Sequence, residues 1–380
     1  MSGPLQSVRV VELAGLGPAP FCGMVLADLG AEVIRIDRPR SVNEWLVSNP
    51  LNDIQNRGKR SVAIDLKQEA GVKIALELAS SSDALIEGFR PGVAERLGVG
   101  PAECLARNES LVYGRMTGWG QAGPYSDMAG HDIDYIAVSG ALGSIGVAER
   151  PIPPLNLVGD FGGGGMLLAL GVVAAVLESR VSGSGQVVDA AMVDGSALLM
   201  ASHHGFAAEG WWTSNRESNL LDGAAPFYTT YETGEGGHVA VGALEPQFYR
   251  ELLVGLDLDG DELPSQMDRD GWPEIRRAIA ERFATRSRDE WSEHFEGTDA
   301  CVAPVLSMEE APNHPHNRAR STFIEVAEVI QPGPAPRFGG TPTDRPSSPA
   351  LPGQHTDEIL SKLGYSSEQI GKLRSAGAVA

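Results

Sequence analysis

The first half of the chain alternates short apolar runs with segments of helical periodicity. The apolar runs are rich in β-branched residues, as buried strands are, and they cover residues 8–13, 32–36, 62–66, 84–89 and 111–116. Helical spacing is clearest at 22–29 and 69–80. Strands that alternate with helices pair in parallel through crossover connections. The pattern therefore predicts an α/β fold with a parallel sheet.

The stretch 162–177 is apolar enough to suggest a membrane span. It is shorter than the roughly 20 residues that a span requires, it is rich in glycine, and Glu178, Ser179 and Arg180 follow it. We expect a helix buried on all sides. A strand at 186–191 then extends the sheet.

The pattern changes after about residue 190. Residues 194–210 have helical spacing, 227–233 and 238–242 form a predicted β-meander, and helices are expected at 245–255 and 272–284. A chain of 380 residues exceeds one hydrophobic core. We therefore expect two domains. The prediction assigns 1–190 to a large domain that 330–380 completes, 191–224 to a linker, 225–305 to a small α+β domain, and 306–329 to a return linker.

Composition narrows the possible partners. The formal net charge of -20 argues against nucleic acid and anionic membranes. The cysteines Cys22, Cys104 and Cys301 are odd in number and far apart, which argues against a disulfide framework and for a reducing compartment. The N-terminal sequence lacks a signal-peptide pattern and the C-terminal sequence lacks a peroxisomal signal, so we expect a cytoplasmic protein.

The loop after the first predicted strand resembles a dinucleotide fingerprint only superficially. Gly15 and Gly17 are present, and Asp37 ends the next strand about twenty residues on, but the third glycine is missing. Pro18 and Pro20 also remove backbone donors that would face a pyrophosphate. NAD binding is not expected.

Cationic residues lie near the predicted strand ends. Arg38 and Arg90 follow the second and fourth strands, at the sheet edge where doubly wound folds bind ligands. Arg57 and Lys59 precede the third strand. Guanidinium groups suit phosphate oxygens, although solvated surface arginines would give the same sequence.

Two glycine-rich segments place titratable groups in apolar surroundings, GHDIDY at 130–135 and LNLVGDFGGGG at 155–165. Asp160 could simply be a helix N-cap. The four glycines after it could instead let a ligand approach the free N–H groups of a first helical turn and hold an oxyanion there. Glu245, before a predicted helix, alone has the pattern of an exposed first-turn carboxylate.

Other common sites are not indicated. His203 and His204 are adjacent, so both cannot easily face one metal, and no third ligand has suitable spacing. The sequence contains no G-x-S-x-G, H-E-x-x-H or P-loop motif.

Long segments of the chain resemble the α-methylacyl-CoA racemases of the class III CoA-transferase superfamily. The segments are 10–39, 56–67, 87–101, 115–137, 153–166, 185–195, 241–249 and 355–370. The resemblance implies a Rossmann-like large domain without a nucleotide-binding fingerprint, a smaller α+β domain, and a homodimer of interlocked chains. It also implies acyl-CoA as the substrate, in fatty acid metabolism, with no metal and no separate cofactor.

The resemblance also implies roles for individual residues. His131 and Asp160 match the family's catalytic histidine and aspartate, and Glu245 matches the acid that supports the histidine. The residues that it places in CoA-binding or substrate-binding segments are Arg38, Arg57, Lys59, Ile64, Lys67, Gly88, Phe89, Arg90, Arg96, Asp132, Tyr135 and Asn156.

Two chemistries remain open at this site. A racemase would move a proton on the carbon beside the thioester, with His131 and Asp160 on opposite faces. A CoA-transferase would use Asp160 as a nucleophile, and the formyl-CoA type has a run of glycines in its small domain that residues 220–227 lack. We expect the racemase. An acyl-CoA-binding protein without catalysis is a third reading, against which the intact His131, Asp160 and Glu245 argue.

Overall fold

The computed structural model describes residues 2–39 and 49–380. Its strands are β1 Arg9–Leu13, β2 Glu32–Asp37, β3 Arg60–Ala63, β4 Ala84–Glu87, β5 Val112–Thr117, β6 Gly146–Val147, β7 Arg150–Pro151, β8 Val187–Ala191, β9 Tyr228–Glu232, β10 His238–Gly242, β11 Val302–Pro304, β12 Phe323–Val326 and β13 Val329–Pro332.

The α-helices are α1 Pro18–Asp28, α2 Glu69–Ser80, α3 Val93–Arg96, α4 Pro101–Leu105, α5 Asp132–Val138, α6 Ala141–Ser144, α7 Leu167–Ser182, α8 Met192–Leu199, α9 Ala201–Ala208, α10 Pro246–Gly255, α11 Trp272–Phe283, α12 Arg288–His294, α13 Pro315–Arg320, α14 Thr356–Lys362 and α15 Ser367–Ser375. A π-helix spans Leu157–Met166 and continues directly into α7.

The central sheet has the strand order β3-β2-β1-β4-β5-β8, and each neighbouring pair is parallel. The predicted α/β fold with a parallel sheet is confirmed. The order reverses between β1 and β4, so the loops that follow these two strands diverge at the carboxyl edge of the sheet. That divergence opens the crevice in which doubly wound folds bind their ligands.

Both faces of this sheet are covered, because successive side chains of a strand point to opposite faces. Val10 of β1 packs in one core cluster with Leu168 of α7. Val11, the next residue, packs in the other cluster with Ile74 of α2 and Ile359 of α14. The continuous apolar runs of the sequence are therefore strands buried on both sides.

Contacts divide the chain into two compact units. The first contains Met1–Ser139, Leu155–Leu199 and His316–Ala380, and the second contains Gly140–Pro154 and Met200–Pro315. The second unit is built on the antiparallel sheet β11-β10-β9 with α10, α11 and α12 around its core.

These units differ from the predicted boundaries. Residues 140–154, which the prediction placed in the large domain, belong to the second unit and form the hairpin β6-β7. The predicted linker 191–224 contains two helices, α8 in the first unit and α9 in the second. The helical spacing at 194–210 therefore indicated structure rather than a connector.

The prediction of a helix buried on all sides is wrong. Leu168 and Val172 of α7 are buried, but Leu170 is exposed, and the exposed fractions of Leu177 and Val181 are 66% and 80%. The continuous helical segment Leu157–Ser182 is long and apolar enough to cross a membrane by those criteria alone, and 44% of its most apolar window is buried. One face thus belongs to the core, and the opposite face is apolar and exposed, with no covering from residues 2–39 and 49–380.

Candidate active site

His131 occupies the N-cap position of α5. Its backbone N–H donates to the Asp134 carboxylate at 2.9 Å, and its carbonyl accepts the N–H of Asp134 at 2.9 Å. These reciprocal bonds fix the start of the helix. The His131 imidazole is exposed, so it is available to a ligand.

Asp160 lies in the first turn of the π-helix, three residues after its first residue. The N-cap position belongs to Asn156, so the interpretation of Asp160 as an N-cap residue is wrong. The Asn156 amide instead donates to Oδ2 of Asp160 at 3.0 Å. The two predicted site residues on this segment are therefore in direct contact.

The glycines after Asp160 serve the packing of helices. A Cβ atom on Gly163 would lie 2.6 Å from the backbone nitrogen of Ser196 in α8, and one on Gly165 would lie 2.5 Å from the carbonyl oxygen of Pro18 in α1. Any side chain would push these helices away. The expected role of Gly163 and Gly165 in admitting a ligand is replaced by close backbone packing.

Asp132 was predicted to contact the ligand, but its side chain is buried. It is 6% exposed, and its Oδ2 accepts the backbone N–H of Asp160 at 2.7 Å. Its carboxylate also fills the space beside Gly159, where an added Cβ would lie 2.4 Å from Oδ2. Asp132 therefore connects the start of α5 to the π-helix.

The Asp160 carboxyl is half-buried, and its pKa lies above the usual value. Burial is the largest cause of the raised pKa, and the negative charge of Asp132 adds to it. The hydrogen bond from Asn156 and the nearby His131 pull the pKa of Asp160 down. Asp160 is thus a stronger base than a solvated aspartate.

Tyr135 is also less available than predicted. Its ring is buried edge-on against Trp119, with centroids 4.8 Å apart, and its hydroxyl donates to the Gly130 carbonyl. Burial, with a smaller contribution from Asp160, raises the pKa of Tyr135 to about 12. Tyr135 supports the loop before His131 and does not present its hydroxyl to a ligand.

The loop after β1 passes next to Asp160. Gly17 adopts a φ of 72°, and a Cβ atom on it would lie 3.7 Å from the Asp160 Oδ2. The positive φ favours glycine, and the 3.7 Å distance places the loop within van der Waals range of Asp160. Since β1 borders the point where the strand order reverses, Asp160 lies at the crevice that the fold predicts for a ligand.

Several predicted CoA contacts are exposed after strands of this sheet. Arg38 follows β2, Lys67 follows β3, and Gly88 and Arg90 follow β4. Arg96, at the end of α3, is exposed as well. All are accessible to a phosphate-bearing ligand.

Three other predicted contacts are wrong for their side chains. Arg57 is buried and bonded to both carboxylate oxygens of Asp28, at 3.1 and 2.5 Å. Lys59 is buried, with its Nζ 2.7 and 2.9 Å from the two carboxylate oxygens of Glu12. Ile64 lies in the core beside Val379. Their partners come from elsewhere in the fold, so the local sequence did not indicate these pairings.

Sequence reasoning missed Glu87, a fully buried carboxylate at the end of β4. It accepts the Phe89 N–H at 2.6 Å and the Arg115 guanidinium at 3.0 Å. Burial, partly offset by these two bonds, raises the pKa of Glu87 to about 7. Through the hydrogen bond to the Phe89 N–H, Glu87 thus stabilises the loop after β4, which contains the predicted CoA contacts Gly88, Phe89 and Arg90. A charged residue within an apolar strand was the signal for it.

Glu245 belongs to the second unit, where it is the exposed N-cap residue of α10. Its charge contributes to the raised pKa of Cys301, after burial of that thiol. Among residues 2–39 and 49–380, no cluster of three or more histidine, cysteine or acidic side chains could hold a metal ion.

The fold and the site together define a Rossmann-like α/β protein without a nucleotide-binding fingerprint. At the crevice where the strand order reverses it has an aspartate, Asp160, with a histidine, His131, nearby. The chain belongs to CoA-transferase family III, whose family model matches residues 5–356.

Its relatives include curated racemases. The α-methylacyl-CoA racemase of Mus musculus is 50% identical over 98% of this chain and 96% of its own length, and that of Homo sapiens is 48% identical over the same shares. A CAIB/BAIF family protein from Brucella suis has the same fold, with a TM-score of 0.82 and 23% identity over 96% of this chain and all of its own.

Proposed function

We propose that this chain is an α-methylacyl-CoA racemase, an isomerase that interconverts the (R)- and (S)-epimers of 2-methylacyl-CoA thioesters. The observation that carries the proposal is the half-buried Asp160 carboxyl, with its raised pKa, close to the exposed His131. Racemase relatives at about 50% identity support it.

The reaction requires a strong base and an acid on opposite faces of one carbon. The α-proton of a thioester is much less acidic than a carboxylic acid or an imidazolium, and every pKa unit of that mismatch costs about 1.4 kcal/mol. In our account one of Asp160 and His131 removes the proton, and the electron pair of the C–H bond moves to the thioester oxygen as an enolate. The other group then donates its proton to the opposite face.

The enolate needs hydrogen-bond donors in a site with little water. The sequence indicates the N–H groups after Asp160 as candidates. From Gly162 onward, however, a π-helix uses each N–H for the carbonyl five residues earlier. The first-turn N–H groups of Asp132 and Ile133, next to His131, have no intrahelical acceptor. We assign the enolate oxygen to these two donors.

Glu245 orients the His131 imidazole in this account and stabilises the imidazolium. The CoA phosphates bind Arg38, Lys67, Arg90 and Arg96, while Gly88 and Phe89 lie under the pantetheine arm.

The proposal includes a homodimer of interlocked chains. Leu170, Leu177 and Val181 of α7 are exposed, and so are Leu198 and Leu199 at the end of α8. Exposed apolar side chains in this number on one helix favour a protein interface over a solvated face. A second copy of the chain would cover it.

The acidic net charge supports the absence of nucleic-acid and membrane partners. We place the enzyme in the cytoplasm, in fatty acid metabolism, with CoA as part of the substrate and no separate cofactor.

CoA transfer is the second candidate, because the family is named for it and the Asp160 carboxylate is accessible enough to attack a thioester. Hydroxylamine trapping during turnover separates the two. A transferase gives a hydroxamate on the Asp160 peptide, and a racemase gives an unmodified peptide.

The direct test incubates each purified epimer of a 2-methylacyl-CoA with the enzyme in heavy water. We expect both epimers to gain one α-deuterium and to approach an equal mixture. Failure of both epimers to exchange contradicts the proposal, and CoA transfer to an added carboxylic acid without exchange would establish the alternative.

A further inference from the structure

Asp132 has a role that the catalytic scheme above does not use. We propose that Asp132 is a positioning residue for Asp160, holding the backbone of the catalytic turn and placing a fixed negative charge beside the catalytic carboxyl. The inference rests on the proposed racemase function, and it concerns a side chain that is buried.

The geometry makes Asp132 part of the support beneath Asp160. Its Oδ2 accepts the Asp160 N–H at 2.7 Å, a donor that the first turn of a π-helix leaves without an intrahelical acceptor. The carboxylate lies against Gly159, where a Cβ would come within 2.4 Å. The residue before Asp160 therefore has to be glycine for this contact to form.

The environment of the other carboxylate oxygen, Oδ1, indicates that the Asp132 side chain does not serve folding stability alone. Asp132 is 94% buried, and within residues 2–39 and 49–380 its Oδ1 has no hydrogen-bond partner. Burying a carboxylate with one oxygen unsatisfied is unfavourable. An asparagine could also accept the Asp160 N–H without that charge, so the negative charge is the feature that needs a reason.

The negative charge of Asp132 has a function in this proposal, because it opposes ionisation of the Asp160 carboxyl. A second anion beside Asp132 costs free energy, so the Asp132 charge raises the pKa of Asp160 and makes it a stronger base. His131 acts in the opposite sense. Tyr135 lies one turn further along α5, and the negative charge of Asp160 contributes to the raised pKa of its hydroxyl.

Charged side chains also occur on the other elements packed against the π-helix. They are Asp28 of α1, Glu178 and Arg180 of α7, Arg115 of β5, Asp189 of β8 and Asp194 of α8. In the described part of the chain, none of these is among the groups that shift the pKa of Asp160.

The first test is Asp132→Asn in the full-length enzyme. Asparagine keeps the size and an acceptor oxygen but removes the charge, so the pKa of Asp160 falls. We expect the acid limb of the kcat profile to move down by about half to one pH unit and the plateau kcat to fall about three- to tenfold, with KM within about twofold. Asp132→Ala also removes the acceptor, and its kcat should fall about 100-fold. Asp127→Asn, an exposed charge on the preceding loop, is the control and should leave the profile in place.

A second measurement keeps this inference separate from the racemase proposal. Titration of the Asp160 carboxyl carbon by ¹³C NMR, assigned by difference from Asp160→Asn, reports its pKa whether or not the enzyme racemises. A lower pKa of Asp160 in Asp132→Asn supports the inference. An unchanged pKa and an unchanged acid limb overturn it, even if wild-type exchange proceeds as proposed.

Discussion

The side-chain amide of Asn156 donates a 3.0 Å hydrogen bond to Oδ2 of Asp160, four residues further along the chain. This bond stabilises the ionised form of the carboxyl and therefore lowers its pKa, against the raising effects of burial and of Asp132. Asn156 and Asp132 thus act on the same carboxyl in opposite directions.

Removing the amide should therefore shift the activity profile upward. In Asn156→Leu the pKa of Asp160 rises, because the ionised form loses a donor. Proton abstraction by Asp160 needs the ionised form, so the acid limb of kcat should move up by about half to one pH unit. Measuring kcat from pH 5 to 9 checks the sign. A downward shift, or the same shift in Asn156→Gln as in Asn156→Leu, would count against this assignment.

Lys59 tests whether a predicted ligand contact is in fact structural. Lys59→Met leaves the Glu12 carboxylate buried and unpaired, which should lower the free energy of unfolding by about 3–5 kcal/mol. The double variant Glu12→Met/Lys59→Met should recover most of that loss. Urea unfolding gives both values, and KM for acyl-CoA measured on folded enzyme should change less than about twofold.

Lys67 is the contrasting lysine, since it is exposed after β3. Lys67→Met should raise KM without affecting unfolding. If Lys59→Met raised KM while the protein stayed as stable as wild type, the description of Lys59 as the buried partner of Glu12 would be wrong.

Glu87 makes stability depend on pH. Its pKa is about 7 in the folded chain against 4.5 for a free glutamate, so its contribution is fully present below pH 4.5 and is lost as pH rises through 7. The difference corresponds to about 3 kcal/mol. The free energy of unfolding of Glu87→Gln should therefore depend less on pH between 5 and 8 than that of wild type.

The matched control is Glu95→Gln, which removes the other carboxylate on Arg115. Glu95 is more exposed than Glu87, so the wild-type pH dependence above pH 5 should survive its loss. An equal flattening in both variants would show that Arg115, and not the buried Glu87, sets the dependence.

Much of the fold follows from the sequence pattern, and the site less completely. The six strands of the central sheet and α2 were predicted to within about three residues at each end, because strands buried on both faces leave uninterrupted apolar runs, whereas β6, β7, β11, β12 and β13 were not predicted. The π-helix was not predicted, since its glycines are required by the approach of α1 and α8, which is set by tertiary packing. A helical pattern also cannot distinguish a core-facing side from an exposed apolar side, and this is why the sequence predicts a fully buried α7.

Among the site residues, Asp160 and His131 could be proposed from motif resemblance, and the structure shows the contacts around them. The buried positions of Arg57, Lys59 and Asp132 could not be predicted, because a cation or carboxylate near a strand end has the same sequence pattern whether it binds a ligand or pairs inside the protein. Their partners lie far away along the chain.

The exposed face of α7 predicts the oligomeric state. Leu177→Glu places a charge in the middle of the apolar surface and should convert a dimer to monomer by sedimentation velocity. Met308→Glu, an equally drastic change at another exposed apolar position, should leave the dimer intact. A monomeric wild-type protein at micromolar concentration would remove the interlocked dimer from the account.

The central claim is that His131 and Asp160 work on opposite faces of one carbon. It is tested most directly by α-deuterium incorporation from heavy water in His131→Gln and Asp160→Asn, measured separately with each epimer of a 2-methylacyl-CoA. Both variants should lose interconversion by about 10²–10⁴-fold. Each should still exchange the hydrogen of one epimer, and the retained epimer should differ between the two variants. Exchange of the same epimer by both variants, or full racemisation by either one, would contradict the account.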